Sequence, residues 1–158
     1  MTRLSICLAM LGACSTPSGP PQPLVAAVGQ GSGAAPDEIS AVVKGLRSDA
    51  GSVRCFLYDD ESGFPDSEAH IVARAVALPA AHAGTCRFAG VGRDHDYAIV
   101  ILHDENNDNI FQKNALGMPQ EGYGFSNDAK ARFSAPSYAD CKFHFASGAL
   151  SLSITTRY

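Results

Sequence analysis

From residue 39 onward, apolar and polar positions alternate with the period of two that marks half-buried strands. Ile39, Ala41 and Val43 alternate with Ser40 and Lys44, and Val53, Cys55 and Leu57 alternate with Arg54 and Tyr58. Residues 71–78 form a weaker segment, and Cys86 and Phe88 alternate with Thr85 and Arg87. Residues 97–102 are continuously apolar, as expected of a central strand covered on both faces. Cys141, Phe143 and Phe145 alternate with Lys142 and His144, and Leu150, Leu152 and Ile154 alternate with Ser151, Ser153 and Thr155. Helical periodicity is confined to about a turn each at residues 126–132 and 136–140. The pattern predicts an all-β domain over residues 37–158, a single antiparallel β-sandwich of about seven strands of the prealbumin or immunoglobulin type.

The beginning of the chain reads differently. Met1, Thr2 and Arg3 give a short positive start, followed by a brief apolar run and the sequence Leu11-Gly12-Ala13-Cys14. Small residues running into a cysteine resemble a bacterial lipobox, which predicts a signal peptide over residues 1–13 and a lipidated Cys14. Residues 14–36 are rich in Gly, Pro, Ser and Ala without apolar periodicity, the composition of a tether. The expected location is the bacterial cell envelope. Ser15 lacks the acidic character of an inner-membrane retention signal, so the outer membrane is favoured.

Composition narrows the function. The 158 residues are 46% hydrophobic and 18% charged, too apolar for general disorder. A net charge of -4 offers no basic excess for a phosphate backbone, so nucleic acid is not an expected partner. Cys55, Cys86 and Cys141 fall on apolar positions of predicted strands. In an oxidising compartment two inward cysteines on neighbouring strands can pair. Three cysteines permit three pairings and spacing does not choose among them; Cys55 with Cys86 is favoured here, and buried thiols are the alternative.

The most chemically loaded segment follows the apolar strand. Asp104, Asn106 and Asp108 stand at alternate positions, with the Ile110 carbonyl and the Gln112 side chain further along. This is the spacing at which a calcium loop supplies hard oxygen ligands, and calcium needs six to eight of them. Asn107 and Asn109 tolerate the left-handed backbone that glycine usually supplies in such a turn. The bidentate acid expected twelve positions into the loop is replaced by Ala115, so further ligands must come from elsewhere, with Glu121 or Asp128 the candidates. The competing reading is a polar loop whose Asx side chains cap their own turns. Downstream, residues 116–127 are dense in glycine and aromatics, and His103, Glu121, Tyr123, Phe125 and Ser126 are candidate ligand-loop residues.

The run from Tyr97 to Asn127, with HDEN and LGMPQEGYGFSN at a set interval, resembles the signature of the bacterial domain-of-unknown-function 2141 family. The upstream GSVRCFLYDDESGFP and the closing TTRY resemble it too. Asn107 and Asn109 stand where that pattern carries glycine, and Gln112 where it carries aspartate. The resemblance implies an exported β-sandwich and supplies no activity.

No GxSxG, HExxH, P-loop or GxGxxG motif is present. His70, His82, His95, His103 and His144 are not spaced as metal ligands. The leading expectation is therefore a non-enzymatic, lipid-anchored envelope domain that binds an unknown protein or small molecule through the 103–128 loops, with calcium as a candidate stabiliser. Its competitors are an envelope hydrolase using His103, Asp104 and Glu121, and a purely structural surface domain. His103 and Asp104 are neighbours on a strand and so point to opposite faces, which means that the pair is not automatically a dyad.

Overall fold

The computed structural model describes residues 36–115 and 119–158. The predicted signal peptide, Cys14 and the tether through residue 35 lie outside the described residues. The first strand, β1, spans Glu38–Lys44, followed by β2 (Ser52–Tyr58), β3 (Ile71–Ala77), β4 (Ala83–Ala89) and β5 (His95–Asp104). After the loop region come β6 (Gly122–Phe125), a 3-10 turn at Ser126–Asp128, a short helix α1 (Tyr138–Cys141), β7 (Phe143–Phe145) and β8 (Ala149–Thr155). Alternation places Val53, Cys55 and Leu57 of β2 and Ile99 and Ile101 of β5 on one side, where they meet Ile39, Ala41 and Val43 of β1 in a fully buried core. Burying each of the Val, Leu and Ile side chains among these contributes roughly 1.5–3 kcal/mol.

The strands form two sheets. The smaller has the order β4-β1-β8, and the larger the order β3-β2-β5-β6, with β7 also paired to β5. The ten-residue β5 carries β6 against positions 100–103 and β7 against positions 95–97. The expected sandwich is present, but its antiparallel character is incomplete: β1 and β8 pair parallel, Ile39 opposite Leu150 and Val43 opposite Ile154. Beyond β8 the chain leaves the small sheet, and Arg157 exchanges two backbone hydrogen bonds with Tyr123 of β6, at 2.9 and 2.8 Å. That crossing ties one edge of the sandwich together.

A Cys55–Cys86 disulfide joins β2 of the large sheet to β4 of the small one, the favoured pairing. Cys141 is a correction: it ends α1 instead of opening a strand. Ser137 accepts from the Asp140 N–H while the Asp140 carboxylate accepts from the Ser137 N–H, a capping box that nucleates the turn of helix expected near residues 136–140 and carries it one residue further, through Cys141. The Cys141 thiol is buried and free, and burial pushes its pKa up to about 12.

The two sheets differ on their outer faces, and this difference positions the candidate site. On the large sheet the outward residues Tyr58, Ala98, Val100 and Phe125 form a second buried cluster, flanked by Phe56, Phe64, Ile71, Tyr123 and Tyr138. The continuous apolar run of β5 serves both clusters, odd positions inward and even positions outward. Among the described residues no helix is long and apolar enough to cross a membrane.

Candidate functional site

The end of β5 distributes three consecutive residues to three different environments. His103 points inward and is 0% exposed. Its Nε2 lies 2.9 Å from the Ala50 carbonyl, which can only accept, so Nε2 carries the proton; Nδ1 then accepts from the Tyr158 hydroxyl at 2.7 Å. Glu105 turns toward Arg47 and Ser48: the Arg47 guanidinium donates to Oε2 and the Ser48 hydroxyl to Oε1 at 2.6 Å. The Arg47 hydrogen bonds, with help from Ser48, hold the Glu105 carboxyl below its usual range against the opposing effect of burial. Arg47 also lies over the Tyr158 ring at 4.4 Å, so the closing TTRY segment and HDEN are parts of one structural cluster.

Asp104 lies on the outer face and begins the polar loop. Its Oδ1 accepts from the Asp108 N–H at 3.2 Å and its Oδ2 from the Asn109 N–H at 3.0 Å. Asn107 and Asn109 adopt φ of 58° and 64°, the left-handed geometry expected of them. Gln112 and Lys113 then pair with Gln120 and Pro119, closing the excursion at its base. This pairing returns Glu121 to the start of the loop, where carboxylate oxygens of Asp104, Asp108 and Glu121 lie within 4.8 Å of one another. Glu121 is 5% exposed; burial, reinforced by the charges of Asp104 and Asp108, raises its pKa, while the Gln112 and Glu105 backbone N–H groups oppose the rise.

The other predicted ligands are near but turned. Asn106 Nδ2 and Gln112 Nε2 both donate to Asp108 Oδ2, at 2.8 and 2.6 Å, and the Ile110 N–H donates to Asp108 Oδ1 at 2.8 Å. The Ile110 N–H bond, with those of Asn106 and Gln112, lowers the Asp108 pKa despite some desolvation. The loop thus satisfies Asp108 internally. A divalent cation held by the three carboxylates requires both amides to rotate and present oxygen in place of nitrogen. The donor set is otherwise that of a hard cation, all oxygen. Asp128, the other candidate acid, is elsewhere: its Oδ1 accepts from the Thr155 N–H at 2.7 Å.

The EGYGFS segment divides its labour along β6. Tyr123 lies opposite Leu102 and Phe125 opposite Val100, so both aromatics face outward. Gly122 and Gly124 face inward, where a Cβ at Gly124 would sit 2.9 Å from Ile154 Cγ2 and 3.0 Å from the Thr155 carbonyl. Ser126 is fully buried and donates to the Cys141 carbonyl at 2.6 Å while accepting from the Ile99 N–H at 2.9 Å. Of the five ligand-loop candidates, Tyr123 and Phe125 lie on the outer face of the sheet beside the loop, Phe125 itself buried there; Glu121 joins the acidic cluster, and His103 and Ser126 are internal supports. The hydrolase trio is split across the sheet, His103 on the core side and Asp104 and Glu121 on the outer side.

Sequence reasoning missed a groove of about 430 Å³ on the outer face of the large sheet. Its floor includes Arg54, Phe56, Val100 and Leu102, with Tyr123 and Phe125 beside them. The polar loop supplies one wall through Asn109, Phe111 and Lys113, and residues 131–135 supply another. The signal was present in β2, whose outward positions carry Arg54, Phe56 and Tyr58 where a solvated face would carry small polar residues.

Comparison with known proteins completes the picture. No curated protein matches the chain, and no solved structure matches it. The sequence does match, over residues 41–153, the family described as "uncharacterized protein conserved in bacteria", domain of unknown function 2141. That match runs from within β1 through most of β8 and includes the acidic loop, the groove floor and the EGYGFS strand, and the chain therefore belongs to the domain-of-unknown-function 2141 family.

Proposed function

We propose that this protein is a non-enzymatic, lipid-anchored domain of the bacterial envelope that binds a ligand or partner in the groove beside the 103–128 loops, with calcium organising the loop. The observation that carries this reading is the convergence of Asp104, Asp108 and Glu121 within 4.8 Å in a loop that also lends Asn109, Phe111 and Lys113 to the groove wall. A cation there offsets the mutual repulsion of three carboxylates, two of them buried, and fixes the wall. The groove volume lies in the range typical of small-molecule pockets, and its lining combines aromatic faces with a few charged groups.

Thermal unfolding with calcium and with chelator tests the cation. For a Kd of about 10⁻⁴–10⁻³ M, ~5 mM calcium adds about 1–2 kcal/mol. That is a rise of a few degrees in Tm, which Asp108→Asn abolishes. An unchanged melt removes calcium from the reading. The anchor rests on the Leu11–Cys14 motif and is tested separately. In a Gram-negative host, the wild-type chain should partition with membranes and carry an acyl mass increment on Cys14, and Cys14→Ser should appear in the soluble fraction.

A further inference from the structure

We infer that the groove selects an organic anion, a carboxylate or phosphate joined to a flat apolar body, with Arg54 as the residue that receives the charge. The inference deepens the proposed ligand-binding reading by naming the ligand class, and it does not depend on the calcium part of that reading.

Arg54 stands on the groove floor with its side chain 24% exposed. A guanidinium carries five N–H donors, and the described residues give this one no hydrogen bond. Its contacts are the Phe56 ring, at 5.5 Å, and the Asp104 Oδ2, at 3.9 Å, beyond hydrogen-bond reach. Asp104 is meanwhile committed to the Asp108 and Asn109 backbone N–H groups, which keeps its oxygens turned toward the loop. The other arginines with acidic partners behave differently: Arg87 and Arg93 reach Glu38 and Asp37 at 2.7 and 2.6 Å.

Two more cations line the groove. Lys113 has its ammonium over the Phe111 ring at 5.6 Å, and neither it nor Arg132 has a carboxylate partner among the described residues. Asp66 and Glu68 also line the groove, so the charge is not uniform, but Glu68 already engages Arg74 at 3.4 Å. A planar guanidinium shielded by aromatic and aliphatic neighbours binds a carboxylate or phosphate with two parallel hydrogen bonds, and the reduced dielectric strengthens them. The adjoining faces of Phe56, Val100, Leu102, Tyr123 and Phe125 then cover an apolar body. A cationic ligand would meet Arg54 at the floor, and a neutral one would leave its donors unused.

The test titrates the full chain, in chelator, with 2-naphthoate, 2-naphthyl phosphate and the neutral isostere 2-naphthamide, read by calorimetry and by NMR shifts of the Arg54 Nε–H and Leu102 methyl groups. The two anions should bind at least about tenfold more tightly than the amide, and the Arg54 and Leu102 signals should shift. Whichever anion binds better distinguishes carboxylate from phosphate ligands. Arg54→Gln should remove the preference, Arg54→Lys should keep part of it, and Lys113→Gln should reduce it. Equal affinity for all three probes, absence of saturable binding, or shifts confined to another surface overturns the inference. So does a preference that survives in folded Arg54→Gln; if that variant does not fold, the probe series and Lys113→Gln still decide. Repeating the titration in calcium separates the two ideas: anion selectivity in chelator without any calcium response leaves this inference standing and removes the cation.

Discussion

His103, Asp104 and Glu105 show how strand geometry assigns chemistry residue by residue. Neighbours on a strand face opposite sides, so the histidine becomes a core hydrogen-bonding bridge while the aspartate opens an acidic loop. Glu121 and Glu105 make the contrast in electrostatics. Glu105 is held ionised by Arg47, whereas burial pushes the Glu121 carboxyl up. A folded-state pKa above the unfolded one means that stability is greatest while the group is protonated and is lost as pH rises through the folded value. In chelator, Glu121→Gln should therefore raise Tm at pH 7, and the gain should shrink as pH falls below the ordinary glutamate range. The same variant should lose the calcium response. Denaturation followed at several pH values checks both outcomes, and a Glu121→Gln chain less stable at pH 7 than wild type would contradict the sign.

At the scale of elements, β6 is the most instructive. Its inward positions are Gly122 and Gly124, because the chain leaving β8 passes directly against them. Adding one methyl at Gly124 should cost about 1–3 kcal/mol, since the Thr155 backbone cannot yield as a flexible side chain would. Urea denaturation of Gly124→Ala measures it. The same feature explains why this strand was illegible. Alternation is recognised by apolar residues on the buried side, and here the buried side is empty of side chains while the aromatics face out. Most other strands carried Val, Ile, Leu, Cys or Phe inward and were readable, while β3, which turns Ala73, Ala75 and Ala77 inward and leaves Val72 and Val76 exposed, gave the weaker pattern. The acidic residues of the site were readable as types, but their convergence was not. Glu121 reaches Asp104 only because residues 112–113 pair with 119–120, a contact between polar residues with no periodic signature. Arg54 and Tyr58 were visible as outward positions, yet a groove needs the loop and the 131–135 segment to wall it.

At the scale of the molecule, the core between the sheets is cross-linked once. The Cys55–Cys86 bond spans a 31-residue separation and joins β2 of the large sheet to β4, an edge strand of the small one. Removing it by Cys55→Ala with Cys86→Ala should cost about 2–5 kcal/mol, seen as a lower denaturation midpoint. Reduction of the wild-type protein should approach the same value, and a double variant as stable as the oxidised chain would show that packing alone suffices.

The parallel pairing of β1 with β8 has a consequence for how the protein comes into being. The middle strand of the small sheet is made first, yet its flank is fixed by contacts such as Gly148 N–H to Asp37 Oδ1, across 111 positions. A growing polypeptide can close the β2-β3 hairpin early, but β1 keeps one bare edge until β8 has been synthesised. Such long-range pairing makes folding slow, because distant segments must meet before any contact rewards them. The small sheet therefore stays incomplete until synthesis reaches β8, and through that interval the waiting edge of β1 is a template that a neighbouring chain can capture.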